Sequence, residues 1–145
     1  HLTKASQVDP SHSEVKALLV EVRRSAELAR SDSSYEHALE ALTRGDDDLA
    51  IQALRVSVSA NPLNFKAAHK ISLLLEKRRE VLEAISFAQK AVDAVPEKVD
   101  LRLHLAHLLV EAGMKAMAKK HFEEAARIDP EHPEVKKHGK KLWPF

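Results

Sequence analysis

Apolar residues recur along this chain with the spacing of helices, and the helices themselves recur with a period of 34 residues. Between Phe65 and Arg78, and again between Val81 and Asp93, apolar positions fall three and four residues apart. Residues at that spacing share one face of an α-helix. Two sets of residues repeat at the 34-residue period: Ala50, Ala84 and Ala118, and Pro62, Pro96 and Pro130. The pattern predicts three units of two helices each, over residues 31–64, 65–98 and 99–132.

Each unit is predicted to turn between its two helices. Gly45 and Gly113 hold equivalent positions and suit the left-handed conformation that closes a helix, whereas the middle unit carries Arg79 there. Three aspartates at positions 46–48 follow the first glycine. We expect them to cap the next helix and to complement its positive N-terminal end. A calcium loop would need more ligands at defined offsets, so a cation site is the less favoured interpretation.

These units resemble the tetratricopeptide repeat, a helix–turn–helix motif of 34 residues. The third unit, "GMKAMAKKHFEEAARIDP", matches the motif best, with small residues at Ala118 and Ala125, an aromatic residue at Phe122 and a closing Pro130. The resemblance implies an all-α fold, a right-handed superhelix of three repeats with an additional helix at each end. It also implies packing roles for the repeated alanines and helix-ending roles for the repeated prolines.

The two ends are predicted to differ from the repeats. Residues 1–30 are expected to hold a separate amphipathic helix, capped by Ser13 and ending near Ala29, before "SDSS" at 31–34 starts the first repeat. Residues 133–145 are expected to form a capping helix with Pro133 in its first turn. On that helix we expect Val135, Leu142 and Trp143 to pack on the last repeat and Lys136, Lys137, Lys140 and Lys141 to face water.

The resemblance implies a concave groove lined by the first helix of each repeat. Its predicted binding residues are Tyr35, Leu39, Leu42, Lys66, His69, Lys70, Leu73, Lys77, Leu103, His104, His107 and Val110, beside Asp32, Thr43, Asp100 and Glu111. One branch of the family binds the C-terminal carboxylate of heat-shock chaperones with Lys, Asn and Arg. The matching positions here hold Tyr35, Leu39, Lys70, Asp100 and His104, which predicts that this chain lacks that role.

Three occupants of the groove remain open at this point: an amphipathic helix or apolar peptide of another protein, the chain's own N-terminal helix, or that helix from a second copy. His104 and His107 share a helix face, with His69 and Glu111 expected nearby. Such a group could hold a metal. It would lie open to water, however, so polar lining residues are favoured and no metal or cofactor is expected.

The amino-acid composition disfavours several classes of function. The net charge of +1 and the aromatic content of 4% disfavour nucleic acid and membrane surfaces as partners. No phosphate loop, nucleophile elbow or HExxH motif occurs, so catalysis is not expected. The absence of cysteine favours a cytoplasmic location. We expect a scaffold or adaptor that binds another protein, with self-assembly into a homodimer through the N-terminal helix or repeat ends as the alternative.

Overall fold

The structure is a computed structural model that describes residues 11–139, and within that range helices joined by short turns are the regular secondary structure. The helices are α1 His12–Thr43, α2 Asp47–Ala60, α3 Phe65–Lys77, α4 Val81–Ala94, α5 Val99–Glu111, α6 Lys115–Ile128 and α7 Pro133–Gly139. Successive helices pair as α1 with α2, α3 with α4, and α5 with α6, and each pair packs on the next. The predicted all-α repeat architecture is confirmed.

The repeated alanines lie at the contacts between helices. Ala50, Ala84 and Ala118 have no exposed surface at all. A larger side chain at any of them would overpack the crossing of two helices. The repeated prolines each follow a second helix by two residues, since those helices end at 60, 94 and 128. The packing role predicted for the alanines and the helix-ending role predicted for the prolines are therefore confirmed.

The turns within the three repeats share one backbone geometry. Gly45 and Gly113 have φ angles of +76° and +81°, and Arg79 at the equivalent place has φ +65°. In the first turn the Asp46 amide donates to the Ala41 carbonyl at 2.9 Å, closing α1 with a left-handed cap. The glycine prediction is confirmed, and the middle repeat places a residue with a side chain in the same conformation.

The aspartates after Gly45 act in helix capping and in ion pairs between helices. Asp46 accepts a hydrogen bond from the Leu49 amide at 3.1 Å, as a cap of α2. Asp47 and Asp48 pair with Lys77 and Arg78 at the end of α3. The structural interpretation of the acidic triplet is thus confirmed, with an added role in tying the first repeat to the second.

The predicted break between an N-terminal helix and the first repeat is wrong. Helix α1 runs without interruption for 32 residues, straight through the "SDSS" segment. Its N-cap is Ser11 rather than Ser13, in a capping box with Glu14. Residues 12–30 are therefore a continuation of the first repeat's first helix.

A buried polar network explains why the serine-rich segment stays helical. The Ser31 hydroxyl donates to the Ser57 carbonyl at 2.8 Å, and the Ser57 hydroxyl donates to the Ser31 carbonyl at the same distance. The Asn64 side-chain amide donates to both hydroxyl oxygens. Ser31 is fully buried, so its hydroxyl serves the contact between α1 and α2 instead of capping a helix start.

The N-terminal half of α1 carries its apolar residues on an exposed face. Val15, Leu18, Leu19 and Val22 are between 40% and 64% exposed. They do not cover the groove, so the interpretation in which the chain's own N-terminal helix fills it is wrong. The continuity of α1 is the cause, because this half extends along the axis of the first repeat's helix.

The last helix covers the end of the array. Val135 on α7 is 5% exposed and packs in one cluster with Val99, Leu103 and Ala125. The capping role predicted for Val135 is confirmed, and Lys136 and Lys137 are exposed as expected. Leu142, Trp143 and the lysines at 140 and 141 lie outside the described residues.

Candidate functional site

The first helices of the three repeats together form a groove of about 410 Å³. Tyr35 comes from α1, and Asp100 and Leu101 come from α5, preceded by Lys98 at its N-cap. Most of the wall is the N-terminal part of α3, which contributes Phe65, Lys66, His69, Lys70 and Leu73. Successive turns of α3 place these side chains along one face, as the 3.6-residue period requires.

Five predicted binding residues line this groove together: Tyr35, Lys66, His69, Lys70 and Leu73. Leu39, Leu42 and Val110 are half-buried and lie outside its lining. Lys77 forms a salt bridge with Asp47 at 3.1 Å. The binding role of all these residues stays a prediction.

Leu103 was wrongly predicted to line the groove. It is 2% exposed and packs against Ala125 of α6 and Val135 of α7. Helix α5 is buried on several sides, because α4, α6 and the capping helix all surround it. Apolar residues occur on several faces of such a helix, so the sequence pattern alone does not identify which of them face the groove.

The histidines of α5 bond to two different carboxylates. The His104 Nε2 lies 3.0 Å from a carboxylate oxygen of Glu76, while His107 bonds to Glu134 on the capping helix. His69 meets His104 edge to face, with ring centroids 5.1 Å apart. Among residues 11–139, no group of three or more histidines, aspartates and glutamates is placed to hold a metal ion.

Positive charge dominates the groove. Lys66, Lys70 and Lys98 form no salt bridge with any carboxylate of the described residues, and the Lys98 ammonium lies 5.2 Å from the centre of the Phe65 ring. Asp100 is the carboxylate of the lining, and it accepts a hydrogen bond from His132 at 2.8 Å.

Two titratable side chains in the groove are shifted by their surroundings. Burial lowers the pKa of His69, and the nearby His104, Lys70 and Lys98 lower it further, against a smaller opposing effect of Asp100. Burial also raises the pKa of the Tyr35 hydroxyl, with help from Glu36. The free groove therefore favours a neutral imidazole and a neutral phenol.

Phe65, Lys98 and Leu101 line the groove but were missed from the sequence. They lie at or near helix starts, where the sequence pattern was used only to mark helix boundaries. A signal was present, since Phe65 is an aromatic residue directly beside Lys66 at the start of α3. Helix starts at equivalent points of successive repeats come close together in this fold.

The comparison with known proteins agrees with this architecture. Residues 77–138 match a family model described as tetratricopeptide repeat. This part of the chain is therefore similar to the tetratricopeptide repeat family. Proteins of this family are in general non-catalytic interaction modules, and their fold serves as a scaffold for binding other proteins. No curated protein sequence matches the chain significantly.

Solved tetratricopeptide repeat structures share the fold at low sequence identity. The Arabidopsis OM64 TPR domain is 16% identical, with a TM-score of 0.65 over 80% of this chain and 96% of that domain. A crystal structure of MamA protein is 18% identical, with a TM-score of 0.61 over 79% of this chain and 60% of the other. MamA from Desulfovibrio magneticus RS-1 is 25% identical, with a TM-score of 0.59 and coverages of 69% and 56%.

The chain spans 60% of the length of that first MamA structure. Within residues 11–139, no helix combines the length and the apolar character needed to cross a membrane.

Proposed function

We propose that this tetratricopeptide repeat protein is a non-catalytic adaptor whose groove binds a peptide or helix of another protein. The observation that supports this most directly is Leu73, an aliphatic side chain that is 40% exposed in the groove beside half-buried Tyr35 and Phe65. Apolar surface grouped in a concave site, rather than scattered, is typical of contact surfaces. The fold supplies the rigid support, since α3 is held on both sides by neighbouring repeats.

A capture experiment with matched variants tests the groove. Leu73→Glu places a charge in the groove, and Leu82→Glu places the same charge on α4, where Leu82 is 69% exposed and lies outside the groove lining. Proteins captured from a lysate of the source cells by the wild type and by Leu82→Glu, but not by Leu73→Glu, are those that use the groove. Equal capture by all three chains would exclude the groove as the binding site. Circular dichroism of each variant controls for folding.

A second function, self-association through the N-terminal half of α1, has its own supporting observation. Leu18, Leu19 and Val22 lie on one side of a helix segment whose side chains, among residues 11–139, are left exposed by every other helix. In proteins most helical stability comes from packing of an apolar face, and among the described residues this segment has no such packing. Pairing with the same segment of a second copy would bury the apolar face and stabilise the helix.

Light scattering after size-exclusion chromatography tests the second function. We expect the wild type to shift from monomer to dimer as its concentration rises, and Leu18→Glu/Val22→Glu to stay monomeric. Leu63→Glu/Leu82→Glu is the matched control, because both leucines are exposed elsewhere. A wild type that remains monomeric at the highest soluble concentration would exclude self-association.

A further inference from the structure

Three lysines of the groove have no carboxylate partner among the described residues, and this indicates the chemistry of the occupant. Resting on the proposed function of the groove, we infer that the occupant is an acidic peptide segment with an apolar side chain between its carboxylates. Its carboxylates bind Lys66, Lys70 and Lys98, and its apolar side chain packs on Leu73 and Phe65.

The lysines surround the groove from two sides. Lys66 and Lys70 are one helical turn apart on α3, and Lys98 belongs to the turn that leads into α5. None of them has a carboxylate partner among residues 11–139, whereas Lys77, further along α3, is paired with Asp47. Asp100, the carboxylate of the lining, accepts a hydrogen bond from His132. Three ammonium groups without a carboxylate partner around a partly desolvated cleft favour an anionic occupant.

The apolar part of the groove separates a peptide from a simple polyanion. Leu73, Tyr35 and Phe65 form a surface between the lysines that a phosphate backbone would leave unused. The Lys98 ammonium lies over one side of the Phe65 ring, so a carboxylate that pairs with it would lie beside this apolar surface. An acidic peptide with one leucine-like side chain uses both features.

The N-terminal half of α1 is a poor match for this groove. Residues 11–30 carry three glutamates and four arginines or lysines, so a second copy of that segment would bring no net negative charge. Charge complementarity therefore favours a different protein over a swapped copy of this chain.

The protonation state of His69 should respond to the occupant. Its ring makes no hydrogen bond within the described residues, and its Nδ1 is fully enclosed, as is the Nδ1 of His104. The charged and titratable groups that face it are Tyr35 on α1, Lys66 and Lys70 on α3, and Lys98, Asp100 and His104 on α5. A carboxylate bound at Lys70 would add negative charge beside the imidazole. Occupancy by an acidic segment should therefore draw a proton onto His69.

Binding of synthetic peptides tests the inferred chemistry. The probe is a fluorescent nonapeptide with two glutamates on each side of a central leucine, acetylated and amidated at its ends so that only side chains carry charge. The comparison peptides replace glutamate with glutamine or with lysine. We expect the acidic peptide to bind at least about tenfold more tightly than either, with an affinity that falls as salt rises.

Matched lysine variants locate the binding. Lys66→Gln/Lys70→Gln/Lys98→Gln should lose about tenfold or more in affinity for the acidic peptide. Lys115→Gln/Lys120→Gln/Lys137→Gln removes the same charge from exposed positions outside the groove and should keep the wild-type affinity. Equal losses in the two triple variants would overturn the inference, because binding would then follow net charge alone.

The outcomes separate this inference from the proposed function. If the glutamine peptide binds as tightly as the acidic one and Leu73→Glu abolishes both, the groove binds peptides but the acidic preference is wrong. If no peptide binds while Leu73→Glu still loses captured proteins, the inferred chemistry is again wrong and the adaptor function stands. A single-stranded oligonucleotide that binds as tightly as the acidic peptide would assign the lysines to polyanions in general and overturn the inference.

Proton uptake gives an independent readout. Calorimetric titration of the acidic peptide at pH 6.5 in two buffers of different ionisation enthalpy measures the protons taken up on binding. We expect uptake by the wild type and a smaller uptake by His69→Gln, with His37→Gln, an exposed histidine outside the groove lining, as the control. Identical uptake by wild type and His69→Gln would remove His69 from the inference.

Discussion

The turn residue of the middle repeat shows how much one side chain can cost in a repeated structure. Gly45, Arg79 and Gly113 adopt nearly the same left-handed conformation. Glycine reaches this conformation without steric cost, whereas a residue with a Cβ atom loses about 1–2 kcal/mol. Arg79 is exposed, so no packing observed around it requires the arginine. The middle turn therefore holds local strain that its two neighbours avoid.

Arg79→Gly should stabilise the protein. Removing the left-handed strain gains about 1–2 kcal/mol, and the greater flexibility of glycine in the unfolded chain returns part of it, leaving about 0.5–1 kcal/mol. Urea unfolding followed by circular dichroism measures the change. Arg79→Ala is the control, since it removes the same charge and keeps the Cβ atom. An equal gain in both variants would assign the effect to charge and not to the backbone.

At the scale of elements, local patterns predicted the repeats well and the N-terminal helix poorly. The 34-residue period located both helices of every repeat, because the small and apolar positions that set the period are the ones that pack. The segment at residues 31–34 has the composition of a helix start, yet Ser31 is bonded to Ser57, 26 residues away. A partner that distant in the sequence leaves no local sign, so the helix appeared to end where it continues.

The residues of the candidate site were likewise predicted only in part. Four of the five residues predicted on α3 line the groove, because one face of α3 points into it along several turns. The fifth, Lys77, lies at the end of the helix and pairs with Asp47. Leu103 was misplaced because α5 is surrounded by other helices, including the capping helix with Val135. Lys98 and Phe65 were missed because residues of helix starts meet only when successive repeats stack. Burial that depends on neighbouring elements cannot be read from the period of one helix.

Deletions at the two ends should differ in their cost to stability. Removing residues 1–29 should change the free energy of unfolding of the repeats by less than about 1 kcal/mol, because side chains of residues 11–29 are nearly all exposed. Removing residues 133–145 should cost about 2–4 kcal/mol, because it uncovers Val99 and Leu103. Chemical unfolding of both truncated chains provides the measurement, and a larger loss from the N-terminal deletion would contradict the packing described for α1.

For the whole molecule, pH should act through histidines that the fold keeps neutral. Burial lowers the pKa of His121, as does the neighbouring Arg102, whose guanidinium lies 3.2 Å from the ring. The pKa of His69 is lowered as well, chiefly by burial. Below the ordinary histidine pKa of 6.5, the unfolded chain binds these protons while the folded chain resists them. The stability that these groups contribute is present above that pH and is lost as the pH falls.

Substitution of His121 isolates its contribution to the pH dependence of stability. We expect unfolding midpoints of the wild type, measured between about pH 7.5 and about pH 5.5, to fall more steeply than those of His121→Gln. His37→Gln serves as the reference, since His37 is exposed and should leave the slope unchanged. A slope in His121→Gln equal to that of the wild type would show that the imidazole gains its proton in the folded chain as readily as in the unfolded one.

Because α1 is uninterrupted, it fixes the distance between its own N-terminal end and the groove. Residues 12–30 extend about 28 Å at the rise of an α-helix, with no glycine or proline to bend them. Whatever the start of α1 contacts is held at a fixed separation and a fixed rotation from whatever the groove holds. Inserting one residue near Ala29 would rotate the N-terminal end of α1 about the helix axis by about 100° relative to the groove. Inserting seven residues would lengthen the helix and nearly restore the original rotation.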